Sequence, residues 1–169
     1  EDLLVLSRVS TQARPFASVD LTQITRGVLS DLESRLDQTG GQIELAPLPT
    51  IEADATQMRQ LLQNLIGNAL KFHRPGVAPL VKVYSAPGSP PHRRAGLPDS
   101  DVVTDSVRIL IEDNGIGFDS VNLSLKDGQH FGQRIMRERA EEIGGAVDVQ
   151  SAINQGTRVL INVPLQKAA

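Results

Sequence analysis

Apolar residues recur with helical spacing in two long stretches of the chain. The first stretch begins at Asp20, which is followed three positions later by Gln23, a spacing typical of a capping box at a helix start. Gly40 and Gly41 predict the end of this helix. Its apolar positions lie three or four residues apart, as expected for one buried helix face, and they are Leu21, Ile24, Val28, Leu32 and Leu36.

The second stretch has the clearest helical pattern in the sequence. Asp54 and Gln57 repeat the capping-box spacing. The apolar residues that follow obey the i, i+3, i+4, i+7 rule, and they are Met58, Leu61, Leu62, Leu65, Ile66, Ala69 and Leu70. A third helix is predicted over 131–143, where Gly144 and Gly145 end it.

Runs of β-branched and aliphatic residues predict the strands. A loop at 86–106, rich in Pro, Gly, Ser and charge, separates two of them and is expected to be solvated. Because strands and helices interleave without a strict βαβ period, we expect an α/β two-layer sandwich: a mixed sheet covered on one face by helices, with the other face open to water. The predicted strands span 42–45, 80–85, 107–112, 147–151 and 158–163.

Composition narrows the class of protein. The chain has 169 residues, which suits one domain, and its net charge of −3 is too small to indicate binding to nucleic acid or to an anionic membrane. It has no cysteine, so disulfides and thiolate zinc sites are excluded. No apolar run approaches the roughly 20 residues that span a bilayer, and no signal peptide precedes the pattern. We expect a cytoplasmic piece of a longer protein, which could be membrane-anchored when complete.

The stretch Asp113–Asp119, DNGIGFD, directly follows the predicted strand 107–112. A carboxylate where a buried strand ends is costly unless something hydrogen-bonds it. A donor on a ligand could be that partner, with Gly115 and Gly117 letting backbone come close to the ligand. The alternative interpretation is an Asp-Asn-Gly hairpin turn.

Three polar residues lie together on the second helix. Asn64, Asn68 and Lys71 fall within roughly 60° of each other on a helical wheel, beside the apolar stripe rather than opposite it. Two amides and an ammonium suit an anionic ligand with a hard cation, since amide oxygen can ligate Mg²⁺ and lysine can contact phosphate. The alternative is a solvated helix edge.

Two glycine-bearing segments complete the pattern. Gly128 and Gly132 flank the start of the third helix, where free backbone N–H groups could face a phosphate, although most such glycines only cap helices. Gly156 and Thr157 introduce the last strand and by themselves indicate only a turn.

In chain order, these segments are the asparagine-bearing helix, the strand that ends in DNGIGFD, the glycines at the third helix, and the Gly-Thr before the last strand. Together they resemble the ATP-binding catalytic domain of sensor histidine kinases, which has the Bergerat fold of gyrase, Hsp90 and MutL. LLQNLIGNALKF (61–72) looks like the N box of that family, and DNGIGFD looks like its first glycine box. The resemblance implies that 1–19 are the end of a dimerisation helix and its linker. It also implies that 20–169 are the catalytic domain, with an ATP lid at 115–131.

The resemblance implies a role for each matched residue. Asp113 would accept a hydrogen bond from the adenine amino group, and Asn68 would ligate Mg²⁺. Asn64 and Lys71 would act on the phosphate side and are the catalytic candidates. The other implied nucleotide-binding residues are the lid hinge Gly115 and Gly117, then His130 and Gly132 near the phosphates, and Gly156 and Thr157 behind the base.

The sequence departs from the family pattern at several positions. Gln133 stands where the family usually has leucine, and Asn154 stands where it has the first glycine of G-x-G-T. Asn64 stands four residues before the metal asparagine, where related ATPases carry a glutamate that activates water. Because an amide cannot take that proton, the chain is expected to protect ATP from hydrolysis until another nucleophile arrives.

The expected activity is transfer of the γ-phosphoryl group of ATP–Mg²⁺ to a histidine on a separate dimerisation domain. The expected partners are that domain, a response regulator and a second copy in a full-length homodimer, with no nucleic acid. None of His73, His92 and His130 lies in a dimerisation helix, so the chain alone is not expected to autophosphorylate. The alternative is a non-enzymatic, nucleotide-gated interaction module of the same fold. A hydrolysing ATPase is disfavoured by Asn64.

Overall fold

The computed structural model describes residues 16–87, 106–119 and 130–165, with backbone alone for 130–135. The predicted dimerisation helix, most of the predicted loop and the lid segment 120–129 lie outside the described residues. In chain order the elements are β1 (Ala17–Asp20), α1 (Leu21–Asp31), α2 (Glu33–Thr39), β2 (Gln42–Leu45), β3 (Thr50–Ala53), α3 (Ala55–Lys71), β4 (Leu80–Pro87), β5 (Ser106–Asp113), α4 (His130–Glu142), β6 (Ala146–Ala152) and β7 (Gly156–Pro164).

Five of the described strands form one mixed sheet in the order β2-β4-β5-β7-β6. β2 and β4 run parallel, whereas β5 is antiparallel to β4 and β7, and β6 is antiparallel to β7. A separate antiparallel pair joins β1 to β3. One face of the large sheet packs against the helices in a single core. This arrangement confirms the predicted two-layer α/β sandwich with a mixed sheet.

Helix α3 forms the centre of the helical layer. Asp54 caps it by accepting hydrogen bonds from the backbone N–H groups of Thr56 and Gln57, at 2.7 and 3.2 Å. Every apolar position predicted from the sequence is buried, as expected for a stripe that faces the sheet. This buried stripe anchors α3 against the sheet.

The opposite face of the sheet carries polar side chains. Lys82 and Glu44 form an ion pair between β4 and β2, with Nζ 3.5 Å from Oε2. Glu112 on β5 accepts hydrogen bonds from the Tyr84 hydroxyl at 2.7 Å and from the Arg158 guanidinium. Burial alone would raise the pKa of Glu112, but these two hydrogen bonds and the charge of Arg158 outweigh it and hold the pKa below the usual range.

The structure differs from the predicted elements in two places. The first predicted helix is interrupted at Leu32, whose ψ of 2° separates α1 from α2. No glycine or proline marks this break in the sequence. The strands β1 and β3 were not predicted, and residues 17 and 18 of β1 were assigned to a linker. Each strand has four residues and pairs, among the described strands, only with the other, so its formation depends on a contact between distant segments.

Candidate functional site

Asp113 is the last residue of β5, and backbone groups hold one side of its carboxylate. Oδ1 accepts hydrogen bonds from the N–H groups of Gly115 at 2.8 Å and Thr157 at 3.2 Å. Among the described residues, Oδ2 has no hydrogen-bond partner. One oxygen is therefore fixed by the protein, while the other can accept a donor from a ligand.

Burial changes the ionisation of this carboxylate. It raises the pKa of Asp113 above the ordinary value of 3.8, although the N–H groups of Gly115 and Thr157 lower it in part. The charged form is thus poorly solvated in the folded protein, and a donor that reached Oδ2 would compensate for some of the lost hydration.

The glycines around Asp113 let protein backbone segments approach each other. A Cβ on Gly115 would lie 2.5 Å from the carbonyl oxygen of Phe72 at the end of α3. Gly117 has a φ of +58°, and a Cβ there would lie 1.9 Å from the carbonyl oxygen of Ala152. Gly156, with a φ of +82°, packs equally closely against the carbonyl of the last residue of β5. These contacts require glycine for the fold itself, and approach to a ligand stays a prediction.

The predicted phosphate-side residues occupy one flank of α3. Asn64 and Asn68 are half-buried, and their amide groups have no hydrogen-bond partner among the described residues. Lys71 is exposed in the last turn, with Nζ 5.2 Å from the centroid of the Phe72 ring, which is a cation–π distance. Half-buried amides without protein partners retain oxygen atoms that could meet a ligand.

The end of α3 contacts the segment that follows Asp113. The N–H of Ile116 donates to the carbonyl of Phe72 at 3.0 Å, and Arg74 Nε donates to the carbonyl of Asn114 at 2.9 Å. The structure therefore joins the predicted N box to the predicted first glycine box. Asn114 carries no distinct signal in the sequence, because asparagine before glycine is common in turns.

The β6–β7 hairpin closes the other side of the glycine box. Ser151 Oγ accepts from the N–H of Phe118 at 3.0 Å and donates to the carbonyl of Gly156 at 2.9 Å. Asn154 has a φ of +60°, and its N–H donates to the carbonyl of Ile116 at 2.6 Å. Asparagine tolerates this left-handed conformation better than other residues with a Cβ, so Asn154 occupies a backbone shape that glycine also adopts. Ser151 was missed because its partners depend on the pairing of the strands.

His130 and Gly132 lie in the first turn of α4, but their side-chain surroundings are outside the described part of the chain. The predicted Gly128 also lies outside it. Arg139 on α4 donates to the side-chain oxygen of Gln60 on α3 at 2.7 Å. In the described residues no hydrogen bond joins α4 to Asp113, so the predicted phosphate contacts of this turn stay predictions.

A cavity of about 460 Å³ opens beside Asp113. Asn64, Asn68 and Lys71 do not line it, and Glu112 and Arg158 line it from the open face of the sheet, so this cavity does not coincide with the predicted phosphate side of the site. Its lining residues are Glu112, Asp113, Gln150, Ser151, Ala152, Gln155, Gly156, Thr157 and Arg158.

The described residues contain no group of three or more His, Cys, Asp or Glu side chains able to hold a metal ion. Mg²⁺ does not require such a group, because it commonly takes one or two protein oxygens and otherwise keeps water and phosphate. The amide oxygen of Asn68, which has no hydrogen-bond partner among the described residues, is a suitable Mg²⁺ ligand. Within the same described ranges, every helix is too short or too polar to cross a membrane.

Comparison with known proteins identifies relatives over most of the chain. Cyanobacterial phytochrome A of Nostoc sp. is 29% identical over 178 residues, which cover 98% of this chain and 21% of that protein. The chain spans about a fifth of the length of that phytochrome and of the phytochrome-like protein Cph1 of Synechocystis sp..

Solved structures show the same fold. Full-length ShkA in complex with AMPPNP is 29% identical, with a TM-score of 0.65 over 91% of this chain and 32% of that one. The catalytic domain of the histidine kinase ThkA, at 20% identity, has a TM-score of 0.66 over 90% of this chain and 98% of its own. The model of the histidine kinase-, DNA gyrase B- and HSP90-like ATPase family matches residues 53–167. The chain therefore belongs to this ATPase family, and its structural neighbours are catalytic domains of histidine kinases.

Proposed function

We propose that this chain binds ATP with Mg²⁺ and transfers the γ-phosphoryl group to a histidine on a separate dimerisation domain. It would thus be the catalytic domain of a two-component sensor histidine kinase. The observation that carries the proposal is the half-buried carboxylate of Asp113, whose Oδ1 is held by two backbone N–H groups while Oδ2 is left for a ligand. The amino group of adenine is a matching donor. The AMPPNP complex of ShkA supports an adenine nucleotide as the ligand.

The flank of α3 would bind the phosphates. Mg²⁺ would neutralise negative charge on the phosphate oxygens when bound. Asn68 would supply its amide oxygen as the protein ligand, and Lys71 would contact a phosphate from the same helix flank. The half-buried amides of Asn64 and Asn68, without partners in the described residues, support this assignment.

The transfer breaks the bond between the γ-phosphorus and the oxygen that bridges to the β-phosphate. A bond forms between that phosphorus and an imidazole nitrogen of the acceptor histidine, and ADP leaves. The domain would contribute positioning and electrostatic stabilisation rather than a nucleophile. Because the amide of Asn64 cannot deprotonate water, hydrolysis of bound ATP would be slow without the acceptor. This chain alone is not expected to autophosphorylate.

The remaining partners follow from the same role. The dimerisation domain would belong to the same full-length protein, which would act as a homodimer and phosphorylate a response regulator. The domain would lie in the cytoplasm, whether or not the complete protein is membrane-anchored. The curated relatives are about five times longer than the matched segment, which supports a multidomain protein.

Two measurements test the proposal in sequence. Calorimetric titration of ATP and GTP, each with and without Mg²⁺, should give Mg²⁺-dependent binding of ATP in preference to GTP. Adding a separately purified dimerisation domain and γ-labelled ATP should then label its histidine. Absence of ATP binding would refute the proposal, whereas binding without labelling would favour the nucleotide-gated interaction module.

A further inference from the structure

We infer that Asn114 is a positioning residue that couples the two halves of the proposed nucleotide site. One half is the carboxylate of Asp113 on β5, and the other is the pair of amides, Asn64 and Asn68, on α3. The inference rests on the proposed function, because it concerns how these two halves are held at a fixed separation.

Asn114 makes four hydrogen bonds to the α3–β4 connection and the residue that follows it: three reach Ala78 and Leu80 at its end, and one comes from Arg74 near its start. Its side-chain Oδ1 accepts from the N–H of Leu80 at 2.9 Å, and its Nδ2 donates to the carbonyl of Ala78 at 3.2 Å. Its backbone N–H donates to the carbonyl of Leu80 at 3.3 Å, and its carbonyl accepts from Arg74 Nε at 2.9 Å. Both polar atoms of the side chain are therefore engaged by the protein.

These contacts lie between the two halves of the site. Asp113 directly precedes Asn114, and two residues beyond, the N–H of Ile116 donates to the carbonyl of Phe72 at the end of α3. The connection held by Asn114 starts at that same residue. Displacing the connection would therefore move the end of α3 relative to the end of β5, while the β5–β7 ladder would still hold Asp113 against Thr157.

A positioning role predicts an effect that depends on the ligand. ATP–Mg²⁺ would contact both halves and would lose affinity if their separation changed. Adenosine would contact only the half that contains Asp113 and would keep most of its affinity. A role in stability alone would weaken both ligands equally or neither of them.

The test compares Asn114→Ala with Tyr84→Phe. Tyr84→Phe is the control, because it removes a 2.7 Å hydrogen bond between β4 and β5 on the open face of the sheet. Like Asn114→Ala it loses side-chain hydrogen bonding, but it leaves the α3–β4 connection unchanged. ATP–Mg²⁺ affinity is measured by calorimetry and adenosine affinity by NMR titration. We expect Asn114→Ala to weaken ATP–Mg²⁺ by roughly tenfold or more and adenosine by less than about threefold. Tyr84→Phe should change both by less than about twofold.

A double variant adds a second readout. In an Asn68→Ala background, Asn114→Ala should weaken ATP by less than about threefold, because the coupled metal contact is already lost. If Asn114→Ala does not fold, Asn114→Ser keeps a short polar side chain, adds no charge beside Asp113, and should show the same loss of ATP–Mg²⁺ affinity relative to adenosine.

Three results would overturn the inference while leaving the proposed function intact. They are equal losses of affinity for adenosine and ATP–Mg²⁺ in Asn114→Ala, additive losses in the double variant, and the same selective loss of affinity in Tyr84→Phe. Failure of the parent chain to bind ATP would instead refute the proposed function, and the inference with it.

Discussion

Replacing Asp113 with asparagine would separate its role in binding from its role in the fold. The amide oxygen can still accept hydrogen bonds from Gly115 and Thr157, as Oδ1 does in the parent chain. The second oxygen becomes an NH₂ group, a donor that would face the donor of adenine. A hydrogen bond to a charged group contributes about 1.5–3 kcal/mol. Its loss should therefore lower ATP affinity by roughly ten- to a hundredfold.

The same substitution should not destabilise the free protein. Burial raises the pKa of Asp113, so its proton is bound more tightly in the folded than in the unfolded state. The stability contributed by such a group is fully present below the unfolded pKa and is lost as the pH rises through the folded pKa. At neutral pH a neutral amide avoids this loss, so Asp113→Asn should unfold at the same temperature as the parent or higher.

Calorimetry with ATP and thermal unfolding without ligand would measure the two effects. Asp148→Asn makes the same chemical change at an exposed position on β6 and is the matched control, with parent-like affinity and stability expected. Parent-like ATP affinity in Asp113→Asn would refute the adenine assignment. A loss of affinity accompanied by a clear fall in unfolding temperature would show that the substitution acts through the fold.

Three further predictions follow from the same contacts. Asn68→Ala should make ATP affinity independent of Mg²⁺, and retention of the parent's Mg²⁺ dependence in calorimetry would remove this residue from the metal. Gly156→Ala places a Cβ 1.9 Å from the carbonyl oxygen of Asp113 and should lower the free energy of unfolding by about 3 kcal/mol or more. Gly40→Ala is the control, because Gly40 also has a positive φ but has open space around it, and it should lower the free energy of unfolding by about 1 kcal/mol. Equal values for the two variants in chemical denaturation would contradict the steric argument. ATP affinity should fall as the pH is lowered towards a raised pKa of Asp113, and a constant affinity down to the ordinary aspartate range would contradict the role of its charge.

The central helix and the type of fold were predictable because their signals are local. Asp54 is followed by a long apolar stripe in the sequence, and the structure uses the same cap and buries the same positions. The break at Leu32 and the pair β1–β3 had no comparable signal. A helix break without glycine or proline depends on packing, and the β1–β3 pair depends on contact between distant segments.

Asn154 has a left-handed backbone conformation at a position where the sequence departs from the motif. The sequence places asparagine where the resemblance calls for glycine, but the backbone there has a φ of +60°. Asparagine adopts this conformation more readily than other residues with a Cβ. The backbone at this position is therefore one that glycine and asparagine can both adopt, and the residue type alone did not reveal it.

The sequence by itself determined which chemical groups the chain offers: a carboxylate at the end of a strand, two amides on one helix flank, and glycines on either side. Only the tertiary structure decided how these groups are held. Asp113 accepts from Thr157, which lies 44 residues away, and Asn114 binds Ala78, which lies 36 residues away. A hydrogen bond between distant residues depends on which strands pair and in which register, and the spacing of residue types along a chain does not contain that information.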